Sequence, residues 1–309
     1  MQLNRRRFLA ATIAGAGGIV LEGQALGARR SAPSTDPFQL VPLGKTGLKV
    51  SLIGFGTGMR GSNRESNQTR LGKDKFEALL RYAYDRGCRF FDCADLYGTH
   101  PYVADALKRI PRERYVVNTK IWVLPGGIPE RDRPDANVVV DRFRKELNTD
   151  YIDMVLIHCM FSDTWCDEQK RQMDLLADLK SKGVIKAHGV SIHSVGALKA
   201  CVQTKWVDSV HSRINAYGDS MDSRDPSVVA AVLKQIHDAG KGVVGMKLIG
   251  EGRYRNDPEK RDRSIRYVLG LGCVDTMIVG FEKPEEIDDF ATRVKSALVE
   301  RASQQKAAA

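Results

Sequence analysis

Four short segments between residues 90 and 191 each run from apolar, mostly β-branched or aromatic residues into a polar side chain that can transfer a proton or form a hydrogen bond. They are residues 90–98, 117–120, 155–158 and 189–191. Each pattern predicts a buried strand that carries its polar residue at the carboxyl end. Side chains that leave several strands at the same end can meet, so these four ends predict one site of acid–base chemistry.

Eight predicted strands must position these side chains. From about residue 36 onward, strand-like and helix-like segments alternate at a short period, and no linker rich in Pro, Ser or Gly divides the chain. The strands are predicted at residues 50–56, 89–92, 115–120, 152–157, 187–191, 207–213, 242–247 and 276–279. The helices are predicted near residues 73–87, 101–109, 136–147, 168–183, 194–203, 226–239, 262–270 and 284–300.

Eight strand–helix units in about 265 residues match an α/β fold of the (β/α)8 or TIM-barrel class. A doubly wound sheet is the alternative. Ahead of the first strand, residues 38–50 contain the turn sequence Gly44-Lys45-Thr46-Gly47 and predict a β-hairpin around it. Such a hairpin would close the bottom of the barrel.

One motif competes with the barrel. Residues 56–61 satisfy G-x-G-x-x-G and follow a predicted strand, as in a dinucleotide-binding doubly wound sheet. That motif also needs a helix to begin inside it, whereas residues 62–69 are a polar run without apolar periodicity. We therefore favour a glycine-rich loop after the first barrel strand.

The first 28 residues differ in kind from the rest. Arg5 and Arg6 precede Phe8, Leu9 and a weakly apolar stretch that ends near Val20, which is typical of a twin-arginine signal peptide. A frayed basic terminus is the alternative, and the stretch is shorter than the roughly 20 apolar residues of a membrane span. The predicted organisation is a signal peptide over residues 1–28, a linker over 29–36, a barrel over 37–301 and a polar tail over 302–309. We expect the twin-arginine translocase to export the folded chain to the periplasm, without stable membrane insertion after cleavage.

Composition excludes some classes of function. The formal net charge is +10, but basic and acidic residues are interleaved after residue 28, so nucleic-acid binding is not expected. The excess positive charge could favour an anionic ligand such as a pyrophosphate. The six cysteines include no C-x-x-C pair and no metal-ligand spacing, which argues against a zinc site and a disulfide framework.

From about residue 41 to residue 297 the chain resembles an aldo-keto reductase. The matching motifs are LGKTG at 43–47, GFGT at 54–57, FDxAxxYG at 91–98, TK at 119–120, LIH at 156–158 and GVS at 189–191. Each is weak alone, but their order and spacing together are specific. The resemblance implies NAD(P)-dependent reduction of an aldehyde or ketone, or oxidation of the alcohol, with Asp92, Tyr97, Lys120 and His158 as catalytic residues.

The residue types suit that reaction. A free Tyr hydroxyl has a pKa near 10, and a nearby ammonium such as that of Lys120 would lower this pKa by favouring the phenolate. Asp92 can hold the ammonium in place as its ion partner. Tyr97 would then protonate a carbonyl oxygen while His158 donates a hydrogen bond to the same oxygen.

The resemblance also implies a set of cofactor-binding residues. They are Gly56, Thr57, Ser191, Met246, Lys247, Gly280 and Lys283. The chain departs from the family pattern at Ile192, where an Asn is usual, at Met246, where many members have an aromatic residue, and at Glu286, near the position of an Arg that binds the 2′-phosphate of NADPH. NADP(H) is the family default, and these changes keep NAD(H) open.

Some interpretations remain alternatives. Asp92 and Lys120 could form an ordinary ion pair at a barrel rim, and His193 and His211 are interpreted as structural or peripheral. A slow nicotinamide-nucleotide-binding regulator or sensor could use the same barrel. A third alternative, an exported barrel hydrolase, is not supported, because the sequence lacks the paired carboxylates or metal ligands that such an enzyme needs. The substrate is not predicted, because it depends on the loops over the barrel mouth.

Overall fold

The computed structural model describes residues 34–307, and the structural statements below concern that part of the chain. The predicted twin-arginine signal peptide and residues 29–33 of the predicted linker lie outside it. The strands are β1 Leu40–Pro42, β2 Lys49–Ser51, β3 Ile53–Gly56, β4 Phe90–Asp92, β5 Val116–Ile121, β6 Ile152–Met160, β7 Ile185–Ile192, β8 Ser209–Arg213, β9 Gly242–Met246 and β10 Thr276–Val279. The α-helices are α1 Lys73–Asp85, α2 His100–Leu107, α3 Ala136–Glu146, α4 Trp165–Glu168, α5 Lys170–Ser181, α6 Val195–Gln203, α7 Pro226–Asp238, α8 Pro258–Leu271 and α9 Pro284–Ala307.

Strands β3 to β10 form a closed parallel barrel. The order around it is β10-β3-β4-β5-β6-β7-β8-β9, and β10 pairs with β3 with Met277 opposite Ile53. Closure leaves no sheet edge, which excludes the doubly wound alternative and confirms the predicted TIM barrel. The strands are short, apolar and almost wholly buried, since the helices cover their outer face.

The predicted N-terminal hairpin is also confirmed. Strands β1 and β2 pair antiparallel, with Val41 opposite Val50. Leu43, Leu48 and Val50 pack into the barrel interior against residues that begin barrel strands, such as Phe90 and Val116. The hairpin therefore closes the amino-terminal end of the barrel and leaves the carboxyl ends of the strands for a site.

Helix starts follow local capping chemistry. The carboxylate of Asp225 accepts a hydrogen bond from the Ser227 backbone and precedes Pro226, the first residue of α7. Asp257 caps α8 in the same way, so this helix begins at Pro258 rather than near the predicted residue 262. Helix α9 continues to Ala307, so the described part of the predicted polar tail is helical. None of the helices between residues 34 and 307 is both long and apolar enough to cross a membrane.

Candidate active site

Three predicted catalytic residues lie at the carboxyl ends of neighbouring strands. Asp92 ends β4, Lys120 lies near the end of β5, and His158 lies near the end of β6. The Lys120 ammonium donates to Oδ1 of Asp92 at 2.6 Å and to the Cys93 carbonyl at 2.9 Å. Lys120 is 1% exposed, so this charge depends on its partner for stabilisation.

Sequence reasoning missed a further partner of Asp92. The Asn118 amide donates to Oδ1 of Asp92 at 2.5 Å, and the two residues lie opposite each other in the β4–β5 register. Asn118 and Lys120 are two positions apart on one strand, so their side chains leave the same face. That spacing is the signal in the sequence that could have identified Asn118.

Tyr97 reaches the same place from a short turn of 3₁₀ helix, Asp95–Tyr97, that follows β4. Its hydroxyl lies 3.3 Å from Nε2 of His158, and the two rings meet edge to face with centroids 5.6 Å apart. The Lys120 nitrogen is 5.1 Å from the centre of the Tyr97 ring. On its other side, the His158 ring meets Trp122 at 5.3 Å. The structure thus brings all four predicted catalytic residues together.

The electrostatics of Tyr97 differ from the sequence-based expectation. Burial, followed by the charge of Asp92, raises the pKa of Tyr97 well above its usual value. We expected Lys120 to lower this pKa, but the Lys120 charge is compensated by Asp92 at 2.6 Å. Burial, assisted by Lys120, holds the pKa of His158 well below its usual value. At neutral pH, Tyr97 therefore carries its proton and His158 is uncharged.

The sequence context of His211 indicated a structural or peripheral residue, but the structure places it beside the candidate site. Its ring is fully buried, and Nδ1 lies 3.7 Å from Oδ1 of Asp92. Neither ring nitrogen has a hydrogen-bond partner among residues 34–307. Burial and the charge of Lys120 hold the pKa of His211 well below its usual value. His193 likewise lies at the strand ends, with Nε2 3.4 Å from the Cys159 sulfur.

Two predicted cofactor residues have their side chains engaged within the protein. Ser191 is buried at the end of β7, and its hydroxyl oxygen accepts the backbone N–H of Cys159 at 2.9 Å. Thr57 is fully buried, and its hydroxyl lies 2.8 Å from the Asp92 carbonyl and 2.7 Å from the Thr99 hydroxyl. These contacts place Thr57 as a support for the backbone of Asp92.

The other predicted cofactor residues line a groove across the barrel mouth. Gly56, Met246, Lys247 and Gly280 line a cavity that also contains Asp92 and Tyr97. Lys283 lines a second cavity, and the two share lining residues such as Met59 and Gly252, so they form one continuous groove. A groove lined by glycine backbone at several points and by the Met246 thioether fits a dinucleotide.

Charges at the two ends of this groove are largely compensated. The Lys247 ammonium lies 2.7 Å from a Glu251 carboxylate oxygen. At the far end, Arg255 donates to Glu286 at 2.5 Å and forms an ion pair with Glu282 at 2.6 Å. Glu286 also accepts the backbone N–H of Glu282 at 2.8 Å. The cavity that contains Lys283 is lined by five carboxylates and five cations, so its formal charges balance.

Comparisons with known proteins agree with this geometry. The sequence model described as the Aldo/keto reductase family matches residues 52–265. The chain is 26% identical over 231 residues to "Probable aldo-keto reductase 1" of Glycine max, an alignment that covers 69% of this chain and 60% of that protein. It is 25% identical over 218 residues to the "NADH-specific methylglyoxal reductase" of Escherichia coli, an alignment that covers 62% of this chain and 65% of that protein.

A solved structure of a putative aldo-keto reductase from Pseudomonas aeruginosa superposes with a TM-score of 0.69 at 26% identity. The superposition covers 86% of this chain and 97% of that one. The chain spans about three fifths of the length of the two curated relatives named above.

Proposed function

This chain belongs to the aldo/keto reductase family, and from that premise we propose that it is an NAD(P)H-dependent oxidoreductase that reduces an aldehyde or ketone, or oxidises the corresponding alcohol. The observation that carries the proposal is the 3.3 Å contact between the Tyr97 hydroxyl and His158, beside the buried pair of Asp92 and Lys120. A groove suited to a dinucleotide leads to these residues.

In this proposal Tyr97 is the acid that protonates the carbonyl oxygen. The raised pKa of Tyr97 keeps its proton in place until a stronger base develops, and a reduced carbonyl oxygen is such a base. Neutral His158 donates a hydrogen bond that orients and polarises that oxygen. As the proton leaves, negative charge grows on the phenol oxygen, and the Lys120 ammonium stabilises it while Asp92 and Asn118 keep the ammonium in position.

The reduced nicotinamide cofactor, when bound, supplies the hydride that the carbonyl carbon receives. Met246 would pack against its ring, and Ser191 would hydrogen-bond its carboxamide. The backbone at Gly56 and Gly280 would allow close approach, and Lys247 would attract the pyrophosphate. Lys283 would meet the adenosine end. Both NADPH and NADH fit this proposal, because the carboxylates at that end weaken the attraction for a 2′-phosphate.

We also propose that the chain is exported to the periplasm by the twin-arginine translocase, with its cofactor acquired beforehand. The support is the sequence around Arg5 and Arg6, which precedes a short and weakly apolar stretch. After export the protein would act on a small carbonyl compound or alcohol, without binding nucleic acid.

The alternative is a protein that binds the nucleotide but turns over slowly, as a regulator or sensor. A panel of aldehydes, ketones, sugars and alcohols, assayed with NADPH, NADH and their oxidised forms, separates the two. We expect substrate-dependent change in nicotinamide absorbance, above the rate measured without substrate. Tight dinucleotide binding with no turnover across the panel would instead favour the sensor.

A further inference from the structure

The G-x-G-x-x-G motif at residues 56–61, which in the sequence also suggested a doubly wound sheet, lies against Tyr97. A methyl group built on Gly58 would fall within 3.0 Å of Cδ2, Cε2 and Cζ of the Tyr97 ring. A methyl group built on Gly61 would fall within 3.0 Å of Cδ1 and Cε1. The two glycines therefore contact opposite edges of the same phenol ring.

Backbone conformation does not explain these glycines. Neither Gly58 nor Gly61 has a positive φ angle, so an L-residue could adopt either conformation. No helix begins inside the motif, so it lacks the helix N-terminus that binds phosphate in dinucleotide-binding folds. Close approach to the Tyr97 ring is the feature of this structure that excludes a side chain at both positions.

The loop that carries the glycines is fixed at both ends. The buried Gln68 amide accepts the Met59 N–H at 3.2 Å and donates to the Gly56 carbonyl at 3.1 Å. Beyond Gly61, the Arg64 N–H donates to the Leu96 carbonyl at 3.0 Å. The Arg64 guanidinium also lies 3.2 Å from the Asp95 carboxylate, in the turn that carries Tyr97.

We propose that Gly58 and Gly61 are positioning residues for Tyr97, which hold its ring so that the hydroxyl lies beside His158. The proposal rests on the proposed function, since the position of this hydroxyl matters for turnover only if Tyr97 is the acid. A side chain at either position has to displace the ring. A displacement of about 1 Å at a reacting group can lower a rate about 100-fold.

The first test is turnover in Gly61→Ala, because Gly61 does not line the cofactor groove, and in Gly58→Ala as the second variant. Gly270→Ala is the matched control: apart from its own helix backbone, no atom of the described residues lies within 4 Å of a methyl group there, and its φ angle is not positive. We expect Gly61→Ala to lower kcat about 100-fold with the Kd for NADH unchanged, and Gly270→Ala to change neither. Unchanged kcat in both Gly58→Ala and Gly61→Ala would overturn the proposal.

The second test measures the contact without using activity. Gly61→Ala should lower the midpoint of unfolding in the native background but not in Tyr97→Ala, which lacks the ring. The same shift in both backgrounds would overturn the positioning role. This readout also separates the two proposals. If the unfolding midpoint shows the expected coupling between Gly61 and Tyr97 but Tyr97→Phe is fully active, the acid role is contradicted. If the coupling is absent and Tyr97→Phe is inactive, only the positioning role is contradicted.

Discussion

Tyr97 is buried beside a compensated ion pair rather than beside a free ammonium. Burial and Asp92 raise the pKa of the phenol, so the acid is fully protonated at neutral pH. In the proposed mechanism, the Lys120 charge would act mainly on the phenolate that forms as the proton leaves. At the scale of single residues, the site would therefore favour the donor form in the resting protein and stabilise the negative charge where it develops in the reaction.

We expect Glu286 to affect the choice between NADPH and NADH. Its carboxylate binds Arg255 at the end of the groove where Lys283 lies. We expect the native protein to bind NADPH less than about 100-fold more tightly than NADH, roughly 2.7 kcal/mol. Glu286→Gln removes a negative charge and one of the two ion pairs of Arg255, which keeps its contact with Glu282, so the preference for NADPH should rise about 5-fold, or about 1 kcal/mol. Titration with each dinucleotide measures both values.

Glu300→Gln provides the control for that prediction. Glu300 lies on the same helix and pairs with Arg266, but it does not line the groove. The ratio of the two dissociation constants should not change in this variant. A native preference for NADPH above 100-fold, or an equal response of both variants, would contradict the role given to Glu286.

At the scale of elements, the register between β4 and β5 determines the buried ion pair. Asp92→Asn leaves the Lys120 ammonium buried without its counter-charge, which should lower the free energy of unfolding by about 3–5 kcal/mol. Adding Lys120→Met should recover most of this loss without restoring turnover. Urea denaturation of the single and double variants measures the effect.

An exposed pair serves as the reference for this cycle. Asp174→Asn makes the same substitution opposite Lys170, where both side chains are more than half exposed. It should change the free energy of unfolding by less than about 1 kcal/mol. If Asp92→Asn cost no more than Asp174→Asn, the pair of Asp92 and Lys120 would not be the stabilising contact that the structure indicates.

Much of the barrel could be predicted from periodicity, because most strands are short apolar runs of β-branched or aromatic residues and most of the longer helices have an amphipathic pattern. The four catalytic candidates could be predicted because each lies at or just beyond a strand end. The sequence could not predict the burial of Thr57 or the contact of His211 with Asp92, since both depend on which strands become neighbours when the barrel closes. The contacts of Gly58 and Gly61 with Tyr97 depend on how a long loop folds back, which leaves no periodic signal.

At the scale of the whole molecule, the hairpin and the candidate site lie at opposite ends of the barrel. The hairpin core around Leu43 and Val50 fills the amino-terminal end, and Asp92, Lys120 and His158 lie at the carboxyl ends of their strands. Burying uncharged histidines there has a consequence for the entire fold. Protonation of such a group favours the unfolded chain, where the imidazole is solvated.

Acidification should therefore destabilise the protein. The folded-state pKa values of His158 and His211 are well below the usual 6.5, so below about pH 6.5 the unfolded state binds more protons than the folded state. The free energy of unfolding should fall as pH decreases through this range. His211→Gln should reduce the slope by up to about 1.4 kcal/mol per pH unit, while the two curves run parallel above pH 7.5. Identical slopes at acid pH would contradict a buried neutral His211.

The proposed export is a second property of the whole chain. Replacing Arg5 and Arg6 by Lys keeps the charge but removes the paired arginines, so the protein should accumulate in the cytoplasm with its fold and turnover intact. Fractionation of cells that express each form measures this. Continued export of the Lys form, or export in cells without the twin-arginine translocase, would contradict the proposed route.

The most direct test of the proposed chemistry is Tyr97→Phe. The substitution removes the hydroxyl and keeps the ring that packs on Gly58 and Gly61, so the fold and the groove should remain intact. Stopped-flow measurement of hydride transfer, with dinucleotide affinity determined on the same preparation, isolates the loss of the proton donor. The account predicts a rate lower by about three orders of magnitude or more with a nearly unchanged Kd. A Tyr97→Phe protein that reduces its substrate at the native rate would contradict it.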